Sequence, residues 1–284
     1  MQTDDQNLLG GLDDLGLGGF ESMDLFADNK EKQAAEEKAK KEAVKKNEPK
    51  EEELVFEKTY ECPACGEKFK SLTVRSGKLK AVSQDRDLRW RYKQLEPLKY
   101  DVVMCPECGC AALSSEFGKI TGKQAKMIKE NISANFKPQR EKKAVYSYDD
   151  ALARYKVALA NSMVRGVKAS EKAFICLKTG WLLRGKAEQL NPGNLGYEQV
   201  KAKTLAEEKA FMKNALEGFI NARQSESFPM CGMDELTVDY LIAALSVEFG
   251  EKDRAMKLLS DILVSRTASE RLKNKARDLK DTMR

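Results

Sequence analysis

The chain has 284 residues and not one histidine. That absence excludes a zinc site of paired cysteines and histidines, the His-Glu-X-X-His helix of metalloproteases and the His-X-Glu signature of zinc deaminases. It also removes the commonest general acid–base side chain. No glycine-rich loop ends in Gly-Lys-Ser/Thr, and no Gly-X-Ser-X-Gly elbow occurs, so phosphate-loop and serine-hydrolase chemistry have no footing. Apolar runs are short, and none approaches the roughly 20 residues needed to cross a bilayer. The N-terminus is acidic at Asp4 and Asp5, where a secretory signal is basic and then apolar. From these gaps the expectation is a cytoplasmic, non-enzymatic protein.

What the chain does have is a repeated cysteine unit. Cys62-Pro63-Ala64-Cys65-Gly66 and Cys105-Pro106-Glu107-Cys108-Gly109 are each a two-residue-spaced cysteine pair closed by glycine. The tight turn aims two thiolates at one point, and the glycine accepts positive φ at little steric cost. A redox-active pair would need only one such unit, and structural disulfides would call for a secretory context. Four thiolates from two units instead close a tetrahedral shell. Cys62, Cys65, Cys105 and Cys108 are therefore the expected ligands of one structural zinc per chain. Cys110 falls outside that set, with a substitute-ligand role as the alternative. Cys176 reads as a small buried hydrophobe and Cys231 as a loop residue without a role.

Charge is unevenly distributed. Residues 1–29 hold seven acidic side chains and no basic one, and residues 30–58 hold nine of each. That leaves 41 of the 50 basic and 29 of the 45 acidic residues, a net of +12, for the body of the chain. The first 29 residues also contain five glycines, so the expectation over 1–53 is a disordered acidic tail followed by a charged spacer. Phe20, Leu25 and Phe26 offer that tail a way to dock on a partner.

From residue 54 the pattern changes. Leu54, Phe56 and Tyr60 alternate with polar residues, Phe69, Leu72 and Val74 follow, and Tyr100 to Met104 runs into the second cysteine unit. These predict a four-cysteine, zinc-ribbon-like module over 54–118, with one small antiparallel sheet tied by the metal. Its insert, Arg86-Asp87-Leu88-Arg89-Trp90-Arg91-Tyr92-Lys93, interleaves basic and aromatic residues. Either the rings pack on the module while the arginines stay solvated, or the stretch tracks a nucleic-acid strand.

Residues 119–284 read as helix. Thr121 and Ser147 are N-cap candidates, and Pro138 is expected to end the first, basic helix. Ala151, Tyr155 and Ala158 repeat as Ala215, Phe219, Ala222 and more loosely as Ala255, Leu259, Ile262, a small–large–small spacing similar to that of a tetratricopeptide repeat. The starts lie 64 and 40 residues apart, so the repeats are irregular. The last helix is strongly polar, as a solvent-facing cap should be.

With these residues in view, the chain resembles an uncharacterised bacterial family, domain of unknown function 2225. The resemblance covers about residues 55–270. It rests on both cysteine units, on Val74-Arg75-Ser76-Gly77-Lys78-Leu79, on Asp85 and Asp87, on Pro97 to Val102, and on Tyr155, Ala158 and the 177–183 helix. Cys110 departs from it, standing where an aromatic is usual. The resemblance implies a zinc-knuckle module on a tetratricopeptide-like helical domain and supplies no activity. The fold expected is α+β, mostly α. The function expected is a non-enzymatic adaptor that binds a protein partner through its helices, with no membrane segment. The alternative is a nucleic-acid-binding protein using residues 86–93 and 119–143.

Overall fold

The structure, a computed structural model, describes residues 49–283. The expected tail, through residue 48, lies outside the described residues. A single helical turn, α1 (Glu51–Leu54), leads into the first hairpin. Glu51 belongs to the stretch read as a charged spacer, yet it accepts from Tyr100 Oη at 2.6 Å and pairs with Lys99 at 2.5 Å. Leu54 is fully buried beside Leu72 and Tyr146.

Three two-stranded antiparallel ladders follow, where one sheet was expected: β1 (Val55–Glu61) with β2 (Lys68–Val74), β3 (Ala81–Gln84) with β4 (Trp90–Tyr92), and β5 (Val102–Met104) with β6 (Ala111–Leu113). Each closes on its own loop, and β3–β4, unlike the other two, buries none of its strand residues. The expected strand at Tyr100 is also shorter. Pro97 starts a 3₁₀ turn through Tyr100, with Glu96 as its cap, and pairing begins only at Val102.

β5–β6 is the hinge of the architecture. Side chains alternate across a ladder, so the pair Val103 and Ala112 faces one way while Val102, Ala111 and Leu113 face the other. Val103 and Ala112 pack with the cysteines, Phe69, Phe117 and Ile128. Val102, Ala111 and Leu113 pack with Tyr155, Ile175, Leu182 and Leu183 of the helices. Both faces are covered, so all of these residues are buried.

Thr121 and Gln124 form a capping box at the start of α2 (Gly122–Ile128). The helix gives way to a π turn at Lys129–Ser133, well before Pro138, the residue expected to stop it. An irregular strap, 134–146, then crosses back to Ser147, which caps α3 (Tyr148–Val164) in a box with Asp150, as expected. Next come α4 (Ala169–Gln189), α5 (Tyr197–Ser225), α6 (Glu235–Glu248), α7 (Lys252–Val264) and α8 (Glu270–Asp281).

Helices α4 and α5 make the most extensive contact, and small residues let them close. A side chain on Gly218 would meet Ala173 at 2.7 Å, and one on Gly180 would meet Met212 at 2.4 Å. The three small–large–small triplets all lie inward: Ala151, Tyr155 and Ala158 on α3, Ala215, Phe219 and Ala222 on α5, and Ala255, Leu259 and Ile262 on α7. The polar last helix α8 buries only Ala276 and Leu279. The chain is thus α+β and mostly α: small antiparallel ladders first, then a helical region.

Candidate metal centre

Both cysteine units are the loops of hairpins, 62–67 between β1 and β2 and 105–110 between β5 and β6. The two loops repeat the same backbone bonds. In the first, Gly66 N–H donates to Cys62 O at 2.8 Å and Cys62 N–H to Glu67 O at 2.9 Å. In the second, Gly109 donates to Cys105 O at 3.1 Å and Cys105 to Cys110 O at 2.9 Å. Both turns require a left-handed residue, φ +78° at Gly66 and +71° at Gly109. Gly109 is constrained twice, since a side chain there would also strike the Phe136 ring at 2.4 Å.

The loops bring Cys62, Cys65, Cys105 and Cys108 into one cluster, with all four Sγ atoms within 4.8 Å of one another. Cys62 and Cys108 approach to 3.4 Å, and Cys65 and Cys105 to 3.7 Å. A disulfide would stand at about 2.05 Å. Tetrahedral Zn–S bonds of about 2.3 Å place sulfurs about 3.8 Å apart, so the cluster has the dimensions of a four-thiolate shell. Cys62, Cys105 and Cys108 are buried, and Cys65 is exposed at the rim.

Charge is shared unevenly among the thiols, with Cys108 pushed down and Cys62 and Cys105 pushed up. Cys105 and Cys62 donate toward Cys108 and bring its pKa down to about 2, with the Cys110 amide adding a further hydrogen bond. Giving hydrogen bonds to Cys108 and Cys62 pushes Cys105 up. A divalent cation at the centre would let all four sulfurs ionise together.

The four expected ligand residues therefore lie together and can hold a metal ion. Cys110 is fully buried beneath them and outside the four-sulfur cluster. Cys176 is buried in the core of α4–α6, and burial raises its thiol to about 11. Cys231 donates to Ser170 O at 3.5 Å.

Around this centre are residues that the sequence reading missed. Asn161 of α3 donates to Gly109 O at 2.9 Å, tying the second loop to the helices. In the strap, Gln139 N–H donates to Pro106 O at 2.8 Å and Arg140 pairs with Glu107 at 2.8 Å. Only contact across the fold gives these residues a role, so their spacing carried no signal.

The insert differs in part from both expectations. Arg86 is exposed, as the solvated reading expects, but Arg89 and Arg91 are held by carboxylates. Arg89 is 3% exposed and meets Glu96 at 2.9 Å and Glu188 of α4 at 3.3 Å. Arg91 binds Asp85 at 2.5 Å and Glu188 at 2.6 Å. The reason is the turn at 85–89, where Leu88 takes φ +72° and Asp87 enters the helices. There Asp87 accepts from Trp181 Nε1 at 2.9 Å and Arg184 at 2.7 Å, and Arg184 continues to Glu208 at 2.6 Å. A buried carboxylate is tolerable only with such partners. Trp90 remains 40% exposed, with the Arg271 guanidinium over its ring at 5.3 Å.

The fold and the centre define a class: a four-thiol, double-knuckle module fused through a shared hairpin to a helical array. Residues 55–283 match the family described as an uncharacterized protein conserved in bacteria, domain of unknown function 2225, and the chain belongs to that family. No curated protein and no solved structure matches it. Among the described residues, no helix is long and apolar enough to cross a membrane.

Proposed function

We propose that the protein is a cytoplasmic, non-enzymatic adaptor in which one structural zinc staples the knuckle module to helices that hold a protein partner. The observation that carries this reading is the four-sulfur cluster: a metal with four protein thiolates has no open position for substrate, so it supports structure rather than chemistry. Helix hairpins stacked in the tetratricopeptide manner leave outward faces for a peptide or partner helix. A shallow groove of about 310 Å³ at the junction of α5 and α6–α7 suits that use, with Ile220 and Phe249 as its apolar floor and Lys213, Glu251 and Arg254 at its rim.

Elemental analysis of the purified protein tests the staple. One zinc per chain is expected, lost in Cys62→Ser together with thermal stability and retained in Cys110→Ser. The partner half is tested by crosslinking in the native host, comparing wild type with Phe249→Glu. One protein captured by the wild type and lost from the variant supports the adaptor. The same capture by both removes the groove from the reading.

The nucleic-acid alternative predicts binding to single strands that survives physiological salt and weakens in Trp90→Ala. With Arg89 and Arg91 engaged by carboxylates, the expected result is weak binding that salt abolishes, equal in both proteins.

A further inference from the structure

A cleft of about 810 Å³ lies away from that groove, between the β1–β2 hairpin, the strap 134–146 and α3. Its volume falls within the range of small-ligand sites, roughly 300–1,000 Å³. Phe69, Leu72 and Val157 contribute apolar wall. Arg154 of α3 contributes a guanidinium that makes no ion pair with any described residue, the carboxylate of Asp150 acting on it only through space.

Arg154 is held in place from three sides. Its Nη2 donates to Ser71 Oγ at 3.0 Å, its Nε to Val102 O at 3.4 Å, and its plane lies over the Tyr146 ring at 4.3 Å. All three partners are neutral, and Nη1 donates to no described residue. Four of the five acidic side chains lining the cleft are already committed, and the fifth, Glu67, is exposed and makes no ion pair among the described residues. Glu57 pairs with Lys70 at 2.7 Å, Glu107 with Arg140 at 2.8 Å, and Glu141 with Lys143 at 3.5 Å. Asp150, one turn before Arg154, binds Lys143 at 2.7 Å and caps with Ser147. Desolvation also pulls the Arg154 pKa below the usual arginine range, although the group stays a cation. A desolvated cation is costly unless paired, and a guanidinium fixed by its neighbours presents its remaining N–H groups as a preformed fork for an anion.

We propose that this cleft is a ligand site in which Arg154 pairs with the carboxylate or phosphate group of a small molecule or peptide end, whose apolar part rests against Phe69, Leu72 and Val157. It stands independently of the adaptor reading, because none of its residues belongs to the α5–α7 groove.

The test is calorimetric titration of the full chain with N-acetylphenylalanine, with its neutral amide and with inorganic phosphate. The carboxylate is expected to bind at least about tenfold tighter than the amide, a difference of about 1.4 kcal/mol. Arg154→Gln is expected to erase that difference, and Arg154→Lys to keep part of it. Phosphate binding without carboxylate binding would assign the site to phosphate ligands. Binding of both would show that the anion rather than its source is read. No binding of either anion overturns the proposal, as does equal binding by wild type and Arg154→Gln. Since Arg154 is also part of the wall, a second readout uses the unaltered protein. The Arg154 Nε–Hε resonance should shift on adding either bound anion and stay still with the amide, and a resonance indifferent to all three overturns the proposal.

Discussion

The two knuckle hairpins are alike in sequence and in loop geometry, but they live in opposite surroundings. β1–β2 is exposed along most of β1, and its Phe56 is over a third exposed beneath Arg75. β5–β6 is buried on both faces, between the cysteines and the helices. The difference teaches that the knuckle is a local code, written in two cysteines and a glycine, whereas the weight each hairpin carries depends on what packs against its strands. The first is a clasp at the surface. The second is a shared wall of two cores.

The sharpest way to break this comparison is to deny the four cysteines a metal ion. A chelator, Cys62→Ser or Cys105→Ser should each empty the site, since one shell needs both loops. The loss of binding free energy is on the order of 10 kcal/mol. Calorimetric melting with parallel metal analysis measures it. Full metal content in the Cys62→Ser protein would mean that the second loop binds without the first.

The third hairpin sharpens the contrast, because β3–β4 has no cysteine and is tied to the helices by charge. Asp87→Ala leaves Trp181 and Arg184 without their acceptor, at a cost of about 3–5 kcal/mol in chemical denaturation. A cost below about 1 kcal/mol would show that Arg184 finds enough compensation in Glu208 alone.

Next in size is the packing asymmetry itself. Leu113→Ala, in the doubly covered ladder, should destabilise by about 2–5 kcal/mol. Phe56→Ala, on the exposed strand, should cost less than about 1 kcal/mol. Comparable losses for the two would erase the distinction between the hairpins.

The smallest expected effect is electrostatic. Hydrogen bonding from Arg140 holds the Glu107 carboxylate below its ordinary range, and Lys70 does the same for Glu57. A depressed folded-state pKa stabilises above the unfolded value, about 4.3, and that contribution disappears as pH falls through the folded value. Melting temperatures of Glu107→Gln and Glu57→Gln should therefore lie slightly below wild type near neutrality and converge with it in acid. A gap that widens in acid would reverse the assigned sign.

Much of this molecule is written locally. The paired cysteine units, the positive-φ glycines that follow them, the capping boxes at Thr121 and Ser147 and the inward alanines of α3, α5 and α7 are all short-range patterns. Each works because a turn or a helix face is set by residues within a few positions of one another. The candidate ligand set was legible for the same reason, with two loops of one design and four thiols to share.

What the sequence by itself determined, then, is the loops, the helices and the identity of the four sulfurs. Only the tertiary structure decided what lies between them. The 86–93 insert reads as a basic aromatic strip because its partners on α4, Glu188 for Arg91 and Trp181 and Arg184 for Asp87, lie nearly a hundred residues away. Val102 to Met104 does not reveal that both its faces are covered, because two-sided burial leaves no polar alternation to read. Arg154 looks like one more charge on an amphipathic helix until Ser71, Val102 and Tyr146 close around it. Charge pairing and burial are properties of distance in space, and for these residues that distance is set by the packing of the whole chain.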